Sequence, residues 1–287
     1  MKNVTHAPRC EALAALAFVA IAFTGCGYVP KTAQVASRYD HGVVYILPGI
    51  EGPSPLNTSL AVGLDNAKIR PAIEIYDWTT GIPGNFLWNL SDLDRNRREA
   101  SRLARRILAY RDRHPGGQVS IIGHSGGGGI ALLTLEALPP EPIVDNVVLL
   151  APAVSPRYDL RKAMRRAKNG MYHLYSPFDV GLLGIGTTVF GTVDRDHGPS
   201  AGAVGFSKPP RLSEEEWTAI AEQLHQIKWS ADLVSYGAAG DHAGWSTVWF
   251  AEKYLAPLVE TGRPPAAKPD ATAKGMNHED GAAQTSK

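Results

Sequence analysis

The chain has 287 residues, of which 29 are Lys or Arg and 28 are Asp or Glu, giving a formal charge of +1, and 44% are hydrophobic. That balance gives no electrostatic case for nucleic acid or another polyanion as a partner. With only two cysteines, the chain relies on an apolar core and not on a disulfide framework.

The amino terminus, residues 1–25, reads as an export signal. Lys2 and Arg9 form a basic start, Ala12 to Phe23 is an uncharged apolar run, and Phe23-Thr24-Gly25-Cys26 closes it. The run is too short to cross a bilayer comfortably. The ending resembles a bacterial lipobox, although Phe23 stands where leucine is usual. The resemblance implies lipidation at Cys26, a membrane partner reached through that anchor, and a place in the cell envelope; Gly27 is not a retention signal, which favours the outer membrane. Cys10 would leave with the signal, so no internal disulfide remains. Residues 26–38 read as a linker and 39–260 as one α/β domain. The Pro/Ala/Lys/Gly-rich tail, 261–287, holds too little apolar surface to fold.

Within the domain, His41 to Leu47 is a near-continuous apolar run, as in a strand covered on both faces. It ends in Pro48-Gly49-Ile50-Glu51-Gly52-Pro53. A short helix over 57–67 and a strand over 72–78 follow. Ser91 is the expected cap of a helix whose apolar stripe is Ala100, Leu103, Ala104, Ile107 and Leu108. The arginines on its other side, Arg95, Arg98, Arg102, Arg105 and Arg106, read as a solvated face. Further strands are expected near 118–124, 144–152 and 171–176, and helices over 126–138, 158–168, 213–227 and 247–259. Residues 230–241 read as less regular. Alternating strands and helices imply a mostly parallel sheet covered on both faces. His173 reads as a core histidine and His225 as a surface residue on a helix.

The decisive stretch is Gly123-His124-Ser125-Gly126-Gly127, with a β-branched strand before it and helical spacing after it. A turn this tight forces the serine into a strained backbone, and glycines two residues either side avoid the clash. The serine then stands at a helix amino terminus, where free amides favour negative charge. Strand, G-x-S-x-G turn and helix together read as a nucleophile elbow.

On these residues the chain resembles the α/β-hydrolases over roughly Tyr39 to Val259. The resemblance implies a serine–acid–histidine triad in that chain order. Ser125 is the nucleophile. Asp179, in the loop after the strand ending at Ser176, is the acid, with Asp194 as its competitor. His242, in Gly240-Asp241-His242-Ala243-Gly244, is the base, with His197 as its competitor. His124 is expected to point away from Ser125. The oxyanion donors would be the backbone amides of Gly126 and of Ile50, the latter replaceable by Gly49 or Glu51 because Pro48 stands where the family has histidine. Trp78, Phe86, Trp88 and Phe190 are expected to line an apolar acyl pocket, and the short 150–171 segment leaves little room for a lid domain. This chemistry calls for no metal or cofactor. The expected substrate is a small-molecule or lipid carboxylic ester; thioester or amide cleavage, acyl transfer, and a non-catalytic binding module stand as alternatives.

Overall fold

The computed structural model describes residues 28–179, 192–195 and 198–265. Cys26, Phe190, His197, the export signal and most of the tail lie outside the described residues. No helix among the described residues is long and apolar enough to cross a membrane.

Six strands form one sheet: β1 (Gly42–Leu47), β2 (Ala72–Ile75), β3 (Gln118–His124), β4 (Asn146–Leu150), β5 (Met171–Tyr175) and β6 (Leu224–Lys228). Their order is β2-β1-β3-β4-β5-β6 and every pairing is parallel. β1 and β4 are buried along their whole length, because helices cover both faces. One face carries α2 (Leu93–Arg113) packed on α3 (Gly126–Ala137). The other carries α1 (Pro55–Asn66) against the closing helical run, which is made of Val248–Phe250, a π-helical turn at Ala251–Leu255, and Ala256–Thr261. The connections from β1 and β3 leave in opposite directions along the sheet. That switch point, at the carboxyl ends of neighbouring strands, is where this architecture opens a crevice. Leu47 pairs with Gly123 there.

Several expected elements come out differently. The helix expected over 213–227 is only α4 (Glu214–Ala221), and Leu224 to Lys228 is strand β6. Trp217, Ile220, Leu224 and Ile227 match a helical period, but β5 offers an open edge, and pairing with it wins over the local pattern. His225 is therefore on an edge strand, though exposed as expected. The helix expected over 158–168 shrinks to Arg161–Met164. Ser91 ends a short helix, Phe86–Ser91, and Asp92 caps α2 instead, accepting from Arg95 N at 3.0 Å. Residues 231–236 form a 3-10 helix. Part of the expected linker belongs to the fold: Ala33 is fully buried, and Arg38 bonds Asp65, Ile69 O and Pro71 O.

Candidate active site

The site is built first from backbone. Ser125 sits between β3 and α3 with φ 54° and ψ −120°, a region that L-residues adopt only when the surroundings hold them there. Four glycines make those surroundings. A Cβ on Gly123 would lie 2.6 Å from Gly127 O, and one on Gly128 2.6 Å from Pro152 Cβ. A Cβ on Gly127 would strike the carbonyls of Leu47 and Pro48, and one on Gly126 would lie 2.8 Å from Ile50 Cγ2. The missing side chains let the loop after β1 rest directly on the start of α3. The Ser125 amide is itself tied to Leu150 O at 2.9 Å.

The loop after β1 is braced from behind. Trp78 Nε1 donates to Pro48 O at 2.7 Å, and Asn89 Nδ2 donates to Ile50 O at 2.9 Å. Asn96 in turn holds Asn89 O at 2.9 Å, and Arg95 holds Trp78 O at 2.7 Å. Ile50 N lies 3.4 Å from the Cβ position of Gly126, so the two amides expected to face an oxyanion are neighbours. The first amides of a helix have no intrahelical acceptor and remain available to a ligand.

His242 and Asp179 meet although 63 residues separate them. His242 Nδ1 lies 2.9 Å from Asp179 Oδ2, with both side chains largely withdrawn from solvent. Burial drags the imidazole toward its neutral form, but the hydrogen bond and charge of Asp179, helped by Glu51 and Asp241, outweigh it and leave the ring above its ordinary value. Burial lifts the Asp179 carboxyl above its ordinary value, and the bond to His242 opposes this only in part. Asp194 makes other bonds, accepting from Ser155 N at 2.9 Å and Thr192 Oγ1 at 2.5 Å, so Asp179 is the acid that reaches the imidazole.

Two neighbours, His124 and Glu51, have contacts that the sequence reading did not assign to them. His124 holds the histidine loop: its Nε2 donates to His242 O at 3.1 Å, and the two rings lie 4.6 Å apart. Burial and the adjacent His242 push its pKa down to about 3, so it is a neutral donor. Glu51 folds its carboxylate over Gly49 and accepts from Ser54 Oγ at 3.2 Å; burial pushes its carboxyl up. An acid inside the glycine-rich loop after the first strand was the available signal. His173 is a core histidine as expected, fully buried and bonded through Nδ1 to Gln226 Oε1 at 3.0 Å.

Of the residues expected to line an acyl pocket, Phe190 lies outside the described residues and the other three differ in placement. Trp78 is fully buried behind the loop and braces it. Trp88 is 58% exposed and Phe86 half-buried on the short helix beside the loop. The reason is local: that helix sits over Ile50 O through Asn89, which turns Trp88 outward.

Residues 100–202, about a third of the chain, match the family described as serine aminopeptidase, S33. The fold is that of the α/β-hydrolases. Among solved structures, an α/β serine hydrolase without lid from Xanthomonas campestris is 14% identical, with 82% of this chain and 84% of that one covered and a TM-score of 0.42. A dienelactone hydrolase-like promiscuous phosphotriesterase from metagenomic libraries is also 14% identical, with 81% and 80% covered and a TM-score of 0.40. A Trichoderma reesei cutinase bound to a phosphonate inhibitor is 11% identical, with 76% and 74% covered and a TM-score of 0.35. No curated protein matches the chain.

Proposed function

We propose that this α/β-hydrolase is a serine hydrolase that cleaves carboxylic esters and is tethered in the bacterial envelope by a lipid on Cys26. The observation that carries the reading is the 2.9 Å bond from His242 Nδ1 to the buried Asp179, with the His242 carbonyl held by His124, the residue before a serine at φ 54°. In this reading Asp179 fixes the ring with its Nδ1 protonated, leaving Nε2 as base. Nε2 takes the Ser125 hydroxyl proton while Oγ bonds the ester carbonyl carbon. The carbonyl electron pair moves onto oxygen, where the Gly126 and Ile50 amides receive it. The oxyanion collapses, the bond to the alcohol oxygen breaks, and His242 returns the proton to that oxygen. Water repeats the cycle on the acyl-enzyme and frees the acid. Each preorganised oxyanion donor contributes on the order of 3 kcal/mol to lowering the barrier.

A fluorophosphonate should label the protein, and Ser125→Ala should lose both the labelling and p-nitrophenyl ester cleavage. Turnover retained in that variant would rule out Ser125. The serine aminopeptidase description of the matched family favours one second reading, cleavage of a peptide amide on the same residues; side-by-side turnover of an ester and an aminoacyl amide separates the two.

A further inference from the structure

The two edges of the sheet have opposite characters. At the amino edge, partly buried ion pairs gather: Arg111 bonds Asp145 at 2.6 Å, the more exposed Lys168 meets the same carboxylate at 3.5 Å, and Arg38 bonds Asp65. At the carboxyl edge, where Ser125 and His242 lie, large apolar side chains stand in solvent. Ile82 (63% exposed) and Trp88 belong to the segment leaving β2. Phe178 (69%) precedes Asp179, and Val234 (56%) and Trp249 (60%) flank the His242 loop. Single exposed apolar residues are ordinary; all five here lie in segments that follow the carboxyl ends of β2, β5 and β6, and their gathering at the one edge that carries Ser125 and His242, the mouth of the site, is the mark of an interaction surface.

The amino-terminal segment reaches the same edge. α1 starts directly after the oxyanion loop and spans about 18 Å toward the amino edge. Tyr28, itself 55% exposed, donates its amide to Thr58 Oγ1 at 2.8 Å in the first turn of α1, and Thr32 bonds Asp65 at 2.7 Å in the last. The chain therefore passes down α1 from the mouth. Cys26 is two residues before Tyr28, no more than about 7 Å along an extended backbone.

The geometry points to the mouth-bearing face as a surface that lies on a lipid bilayer, so that the substrate is an acyl ester taken from that bilayer. The inference rests on Ser125 and His242 acting as proposed above. Aromatic and branched apolar side chains at such a rim enter the headgroup boundary, and a lipid on Cys26 holds the mouth against it.

The test uses the full-length chain in vesicles of equal parts phosphatidylcholine and phosphatidylglycerol. Two esters are compared, p-nitrophenyl butyrate in solution and p-nitrophenyl palmitate dissolved in the vesicles. The double variant Ile82→Glu/Trp249→Glu should lose about tenfold or more on the palmitate and stay within about twofold on the butyrate. Val35→Glu, exposed near the amino edge, should change neither. Undiminished palmitate cleavage by the double variant, or equal loss on both esters, overturns the inference. A parent that cleaves neither ester sinks the hydrolase reading alone. Docking has its own readout in that case: phosphatidylcholine brominated near the top of its acyl chains should quench the parent's tryptophan emission, and less so in Trp249→Phe. Absence of quenching overturns the docking surface whatever the activity.

Discussion

The two halves of the site are made in different ways. The elbow half, β3, Ser125 and the loop after β1, is held by what is missing: Gly123, Gly126, Gly127 and Gly128 leave no side chain where the backbone must pass. The acid–base half is held by what is present. Asp179 and His242 come from the loops after β5 and β6, and they are kept together by one hydrogen bond and by the grip of His124 on the His242 carbonyl. Steric exclusion specifies a backbone shape locally. A long-range hydrogen bond specifies an orientation and a charge, and it does so only after folding.

The largest effect should come from breaking that charge relation. Asp179→Asn removes the carboxylate that fixes the His242 tautomer and should lower kcat by on the order of 10⁴-fold. The sign of its pH effect is also set. His242 must be neutral to take the serine proton, so activity appears as pH rises through its pKa, which the carboxylate raises. Losing the carboxylate lowers that pKa, and the acidic limb of the residual kcat/KM profile should move to lower pH. An unmoved limb with near-parental kcat would show that Asp179 does not govern the imidazole.

The elbow half should fail through stability instead. Gly127→Ala pushes a methyl group into the backbone carbonyls of Leu47 and Pro48. Urea denaturation should show a loss of about 1–3 kcal/mol, whereas Gly198→Ala, whose Cβ meets nothing within 4 Å, should be close to neutral. Equal midpoints for the two variants would remove steric exclusion as the device.

His124→Phe tests the link between the halves. It keeps a ring against His242 but leaves the His242 carbonyl without its donor. A fall of about tenfold in kcat/KM is expected from a loosened imidazole, with Ser125 still labelled by fluorophosphonate. Kinetics indistinguishable from the parent would make His124 a packing residue only.

Smallest of all should be Glu51→Gln. The Glu51 charge adds to the field that raises His242, so the acidic limb should again move to lower pH, by less than in Asp179→Asn, with kcat little changed. A shift toward higher pH would contradict the assignment.

Much of this was readable along the chain, and the limits have a common cause. The elbow was legible because its demands fall within five consecutive residues, where only glycine avoids the clash at a strained serine. β1, β3, β4 and β5 were legible because strands covered on both faces are rich in apolar and β-branched residues. Asp179 and His242 were expected from the resemblance, yet nothing within their own loops separated Asp179 from Asp194; the bonds of each to partners far away in sequence do that. β6 was read as helix because an edge strand has one neighbour and a weak period, and the free edge of β5 decides it. Trp78, Trp88 and Phe86 were alike in sequence, three aromatics in one loop; burial behind Pro48 for one and exposure for another follow from where Asn89 anchors their segment. Local sterics and hydrophobic period are properties of neighbouring residues, so the sequence alone determines them. Which of two acids meets an imidazole, and which aromatic faces water, depends on contacts between segments dozens of residues apart, and only the packed tertiary structure brings these into being.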